Sequence, residues 1–174
     1  MNYLWVDLEM SGLDPEKCRI LELAAVVTND RFEKLEEYTA IVHQDVAVLD
    51  AMDAWCKETH GKSGLTAAVA KGKPEDKVEA ELLEMIDRHF TAQERPILCG
   101  NSIGQDRKFM DRYWSKASNR LHYRMLDVTS FKIIFENQYK IKYPKKDSHR
   151  AVEDIFESIA ELKHYLQFVS VPTP

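Results

Sequence analysis

The run YLWVDLEM at residues 3–10 has the composition of a core strand, yet it carries two acids, Asp7 and Glu9. In a strand, residues two apart project to the same face. Trp5, Asp7 and Glu9 therefore point one way, and Leu4, Val6 and Leu8 the other. A face bearing two charges must either be solvated or open onto a site where cations match them. The D-x-E spacing alone leaves both readings open.

The surrounding pattern places this strand in an α/β chain. Ile20 to Thr28 (ILELAAVVT) is a second β-like run, and Tyr38 to Val42 a third after the charged turn Asn29-Asp30; three strands so close in sequence predict an antiparallel meander. Short helical segments follow at Val48 to Cys56 and Leu65 to Ala70. A longer one begins at Pro74 and runs to Phe90, with Val78, Leu82, Met85, Ile86 and Phe90 on one face. Pro96 to Gly100 reads as a short buried strand leading through Asn101-Ser102 into a helix from Gly104 to Ala117. Arg124 to Asp127 reads as a fifth strand, with a helix through Phe135 after it. The last helix is predicted from Ser148 to Phe168, with a stripe of Val152, Ile155, Ile159, Leu162, Leu166 and Val169. Nothing in the composition marks a linker or a repeat, so 1–174 is expected to be one domain.

Charge and cysteine usage narrow the function. A net charge of -5 argues against gripping long duplex nucleic acid through many phosphate contacts, while a short substrate or a metal-assisted one stays compatible. Cys18, Cys56 and Cys99 form no CxxC or Cys/His pattern, so neither a disulfide framework nor a structural zinc site is expected. No run approaches the roughly 18 apolar residues of a membrane span, and the strand pattern starts too early for a leader peptide. These features together lead to the expectation of a cytoplasmic protein with no membrane contact.

Further acids stand at element ends. Asp106 falls in the first turn of the helix after Asn101-Ser102, and Asp154 one turn into the last helix, with His149 at its start. Each has a plain explanation, since acids near helix N-termini offset the macrodipole and a His there is commonly exposed. Brought to one cleft, four carboxylates could not all ionise at neutral pH without divalent cations. Mg²⁺ and Mn²⁺ suit an all-oxygen site of this kind, and two such ions can stabilise the attacking and leaving oxygens of a phosphodiester cleavage.

The segments WVDLEMSGLD, GNSIGQDRKF, HYRMLDVTSFK and SHRAVEDI, in this order, resemble the successive motifs of the DEDD exonucleases of the histidine subtype. Within them the likeness is greatest to the oligoribonuclease family, and WCKETHGKSGL resembles that family and not its longer proofreading relatives. The likeness runs from Tyr3 to about Phe168.

The resemblance implies a ribonuclease H-like fold, a mixed five-stranded sheet flanked by helices. It implies a 3′-to-5′ exoribonuclease that degrades RNA of about five residues or fewer, dinucleotides above all, to nucleoside 5′-monophosphates. By the same resemblance Asp7, Glu9, Asp106 and Asp154 hold two Mg²⁺ or Mn²⁺ ions, and His149 takes a proton from the attacking water. Leu13 in the Gly12-Leu13-Asp14-Pro15 loop matches a leucine that wedges between two bases, although a plain core plug would look the same. Trp55 and His60 match pocket residues offering an aromatic face and a phosphate donor; a Trp on a short helix is as often core. Ser102, Arg124 and Thr129 match a cap over the 5′ phosphate, while Ser102 as an N-cap and Thr129 as a first-turn hydroxyl are the alternatives. In that family Tyr123 and Arg124 reach the neighbouring subunit's site, which implies a homodimer. The basic run Lys140 to Arg150 is left outside the site, as a solvated loop.

Two other classes are distinguishable. A proofreading or tRNA-trimming exonuclease would share the acids but not Arg124 and Thr129, and a binding module without catalysis would lack one of the five catalytic positions.

Overall fold

The computed structural model describes residues 1–144 and 151–170. Its sheet has the strand order β3-β2-β1-β4-β5. Strand β1 (Tyr3–Met10) is central and pairs antiparallel with β2 (Ile20–Thr28), which pairs antiparallel with β3 (Lys34–Ile41). On its other side β1 runs parallel to β4 (Leu98–Gly100), and β4 parallel to β5 (Met125–Asp127). The mixed sheet and the meander are as the alternation predicts. Strand β3 begins earlier than the apolar run that announced it. As the edge strand it carries exposed Lys34 and Glu37, where charge also blunts unwanted pairing.

Period-two alternation splits the core into two layers. Leu4, Val6 and Leu8 pack with Leu23, Ala25 and Val27 against α4 (Glu75–His89) and α5 (Gly104–Tyr113). The predicted stripe of Val78, Leu82, Met85 and Ile86 is fully buried there, each side chain contributing about 1.5–3 kcal/mol. On the opposite face Trp5, Ala24 and Val26 pack against α8 (Ala151–Leu166) through Ile155, Ile159 and Leu162. The Trp5 indole N–H donates to Thr28 Oγ1 at 3.0 Å, so the aromatic residue sharing a face with Asp7 and Glu9 is core.

Three helical segments differ from the expectation. The Val48–Cys56 segment is two helices, α1 (Val46–Asp50) and α2 (Ala54–Lys62), because the Asp53 side chain caps α2 by accepting the Cys56 amide at 2.7 Å. The helix predicted to reach Ala117 stops at Tyr113. Buried Trp114 leaves the helical region and α6 (Ser115–Arg120) starts afresh, its Lys116 and Ala117 amides donating to Glu79 Oε1 at 2.8 and 3.0 Å. In α8 the stripe turns away from Leu166 and Val169, which are exposed, and ends on buried Tyr165, stacked on Phe135 at 5.0 Å. The remaining helices are α3 (Leu65–Val69) and α7 (Val128–Ile134), with one π-helical turn at Phe135–Tyr139. Among the described residues no helix is long and apolar enough to cross a membrane.

Candidate active site

The sheet order creates the cleft. From β1 the chain turns toward β2, and from β4 toward β5, so the C-terminal ends of these parallel neighbours mark a switch point where α/β sheets open. Pairing between β1 and β4 covers Leu4 with Leu98 and Trp5 with Cys99. Gly100 lies so close to β1 that a Cβ there would meet Val6 O at 2.9 Å. Beyond it the Leu8 amide donates to Asp106 Oδ1 at 2.9 Å, which fastens the first turn of α5 onto the C-terminal half of β1.

On the α8 side of β1, Asp7, Glu9 and Asp154 each offer a carboxylate oxygen within 4.8 Å of the others. Residues of the first strand and the last helix thus converge. Asp106 stands next to this trio with one oxygen committed to Leu8, and burial, then the charge of Asp7, pushes its pKa up to about 8. Burial also pushes Glu9 up, to about 7, with Glu22, Asp154 and Asp106 adding repulsion. Such crowding is costly for the bare acids and is what a hard cation relieves, so the donor set fits Mg²⁺ or Mn²⁺. Glu22 escaped the sequence reading: it lies directly across from Glu9 on β2 and shares its face. Its signal was the lone acid in ILELAAVVT, which becomes informative only once the register is known. His149 lies outside the described residues.

Beside Glu9 a cavity of about 480 Å³ is lined by Leu8, Met10, Leu13, Trp55 and His60. Leu13 and Trp55 are 76% and 69% exposed, so both are open faces at its rim and neither is a core plug. His60 is 2% exposed; its Nε2 lies 2.9 Å from Met10 O and its Nδ1 3.9 Å from Glu9 Oε2. The imidazole is a wall of the pocket, tied to the end of β1, with Nδ1 turned to the carboxylates. A second hollow of about 320 Å³ shares Glu9, Trp55 and His60 with the first and continues past Glu22 to Val152.

Ser102 and Thr129 meet just beyond the C-terminal end of β4. The Ser102 amide donates to Thr129 Oγ1 at 2.8 Å and to Asp127 Oδ1 at 2.9 Å, and the two hydroxyl oxygens are 3.2 Å apart. Asp127 also accepts the Thr129 amide at 2.9 Å, capping α7. Ser102 has φ of 50° and is not the cap of α5, a left-handed placement that costs a non-glycine residue about 1–2 kcal/mol. Asn101, which accepts from Thr129 at 3.3 Å, is itself held by Ser158 and by Glu161 at 2.9 and 3.1 Å. Asn101 and Asp127 were absent from the sequence reading because each acts through a neighbour. Tyr123 is 74% exposed, and the Arg124 guanidinium carbon lies 5.3 Å over its ring. Their loop is held by Arg107, which donates to His122 O at 3.1 Å.

Comparison with known proteins places this geometry. Residues 4–162 match the exonuclease family RNase T. An oligoribonuclease from Francisella tularensis subsp. novicida is 43% identical over 171 residues, covering 95% of this chain and 94% of the relative. One from Paracidovorax citrulli is also 43% identical, over 99% of this chain and 91% of the relative. Among solved structures, the zinc-bound complex of E. coli exonuclease I with single-stranded DNA superposes with a TM-score of 0.76 at 15% identity. A product-bound exonuclease I gives a TM-score of 0.72. The match spans 95% of this chain but only 40% of the E. coli exonuclease I chain, and at such low identity it speaks for the fold alone.

Proposed function

The chain belongs to the oligoribonuclease family of exonucleases, hydrolases that shorten RNA from its 3′ end, and from that premise we propose that it specialises in dinucleotides and other very short RNA. The observation that carries the chemistry is the convergence of Asp7, Glu9 and Asp154 within 4.8 Å beside buried Asp106. In this reading those four acids hold two Mg²⁺ or Mn²⁺ ions, which when bound acidify the attacking water and offset charge on the phosphodiester oxygens. His149, two residues before the helix that carries Asp154, takes the proton from that water.

The substrate reading follows from the two ends of the cleft. Trp55 presents its exposed face to one base, and Leu13, at the rim of the same cavity, separates that base from the next. His60 lines the pocket between them and the acids. The hydroxyls of Ser102 and Thr129, with Arg124 forking onto phosphate oxygens, close over the 5′ phosphate. A cleft closed at that end keeps all contacts with a dinucleotide and loses some with a longer chain, which supports preference by length. The exposed Tyr123 and Arg124 pair, outside the acid cluster, suits a homodimer in which each loop serves the neighbouring site. Three free cysteines fit a reducing cytoplasm.

The test is a 5′-labelled diribonucleotide against a labelled RNA of about 20 residues, each with Mn²⁺ and with EDTA. Faster turnover of the dinucleotide, abolished by EDTA, is expected. Equal rates on both lengths would remove the short-RNA reading and leave a general exonuclease.

A further inference from the structure

Helix α5 supports more than Asp106. The residue before that acid, Gln105, sends its side-chain amide nitrogen to within 2.5 Å of the Leu13 carbonyl, bridging 92 positions of sequence. The other end of α5 holds the same loop: the Tyr113 hydroxyl lies 2.6 Å from Pro15 O and 2.8 Å from Cys18 O. The loop's own ties, Ser11 with Arg19 and Asp14 with Cys18, close its base without touching Leu13. Gly12 leaves the residue before Leu13 with φ of 155°, and a Cβ there would meet Cys18 Sγ at 2.6 Å. The backbone thus leaves the end of β1 through a conformation that side chains rarely adopt, and among the described residues Gln105 supplies the side-chain hydrogen bond at Leu13 itself.

We propose that Gln105 is a positioning residue that fixes the Leu13 wedge relative to Asp106, and so sets how well the enzyme distinguishes a two-base substrate. Neighbouring residues on a helix project about 100° apart. Gln105 can therefore reach the wedge loop while Asp106 reaches the Leu8 amide of β1, and one helical turn holds both at a constant separation. The acids and the wedge then move as a unit. Displacement of the Leu13 backbone away from α5 would have to break the Gln105 bond first.

This inference rests on the wedge reading of Leu13, and a double-mutant cycle separates the two. Steady-state kinetics on a diribonucleotide are measured for Leu13→Ala, Gln105→Ala and the pair. Gln105→Ala is expected to raise KM about 2- to 10-fold, the worth of one neutral hydrogen bond, with a smaller change in kcat. In the Leu13→Ala background the same change should add less than about 2-fold, because the side chain it positions has gone. Gln105→Glu, of equal size but setting an acceptor against a carbonyl, should do no better than alanine, whereas Gln105→Lys, which keeps a donor, should recover part of the loss. If Leu13→Ala leaves KM unaltered, the wedge reading falls and this inference with it. If Leu13→Ala impairs binding but the Gln105→Ala loss multiplies fully onto it, or Gln105→Glu behaves as wild type, the wedge stands and the positioning role of Gln105 is overturned.

Discussion

With divalent cations chelated, this protein should become less stable as the pH rises from about 5 to about 8.5, the reverse of ordinary acid-labile behaviour. The cause is the carboxylate cluster. Glu9 moves from an ordinary value of 4.5 to about 7 on folding, so the folded state holds that proton more tightly than the unfolded chain. Below the unfolded value the contribution is fully present. Above it the unfolded chain ionises freely while folded Glu9 resists, and stability drains away until the pH passes the folded value. For Glu9 this amounts to about 3 kcal/mol. Asp106, raised from 3.8 to about 8, acts in the same direction and extends the window upward. Burial is the largest cause of both shifts, with the charge of Glu22 next for Glu9 and that of Asp7 next for Asp106, so the combined loss should exceed the roughly 3 kcal/mol of Glu9 alone, a large part of a typical domain's stability. Carboxylates with lowered values, such as Glu36 beside Arg88, act below this window and with the opposite sign. Urea unfolding followed by circular dichroism in EDTA at several pH values measures the slope. Millimolar Mn²⁺ should flatten it, because a cation bound only to the folded state stabilises most where the acids are ionised. Stability in EDTA that is level or rising across this range would refute the crowding of buried acids from which the metal site is argued.

Other expectations follow from single contacts. Asp106→Asn keeps an acceptor for the Leu8 amide while removing a buried charge, so in EDTA near pH 8 it should unfold later than wild type and yet lose turnover by about 10³-fold or more. Trp55→Ala, at an exposed site, should leave the melting temperature within about a degree of wild type and raise KM for a diribonucleotide about 10-fold, the worth of one stacked base. Gly100→Ala sets a Cβ 2.9 Å from Val6 O and forces β1 and β4 apart, costing about 1–3 kcal/mol in a urea melt and lowering kcat as the acids on the two sides separate.

What the sequence made legible is what depends on local period. Alternation placed Trp5, Asp7 and Glu9 on one face of β1, and helical spacing placed the buried stripe of α4. The acid motifs are readable only as an ordered set that resembles a known family, since each acid alone has a plain explanation. What stayed hidden depends on pairing between distant segments. That Glu22 opposes Glu9 follows from the β1–β2 register, and neither strand states that register alone. Trp114 breaks a helix that its neighbours would have continued because its side chain is drawn into the core between α4 and α5.

The cap shows the same division within a few residues. Ser102 and Thr129 are recognisable as hydroxyls near helix starts, where capping is the ordinary explanation. Asp127 takes over that capping duty at α7 and holds the Ser102 amide as well, which sets Ser102 in a left-handed conformation with its hydroxyl facing Thr129. With Asp127 capping α7, neither hydroxyl is needed as a helix cap. A Thr129→Val variant would keep the shape and the Asp127 bonds, so any loss of affinity for a 5′-phosphorylated dinucleotide over its unphosphorylated form would belong to the hydroxyl itself. Equal loss on both would instead mean that Thr129 serves only to hold Ser102, and the phosphate contact would have to be sought in Arg124 alone.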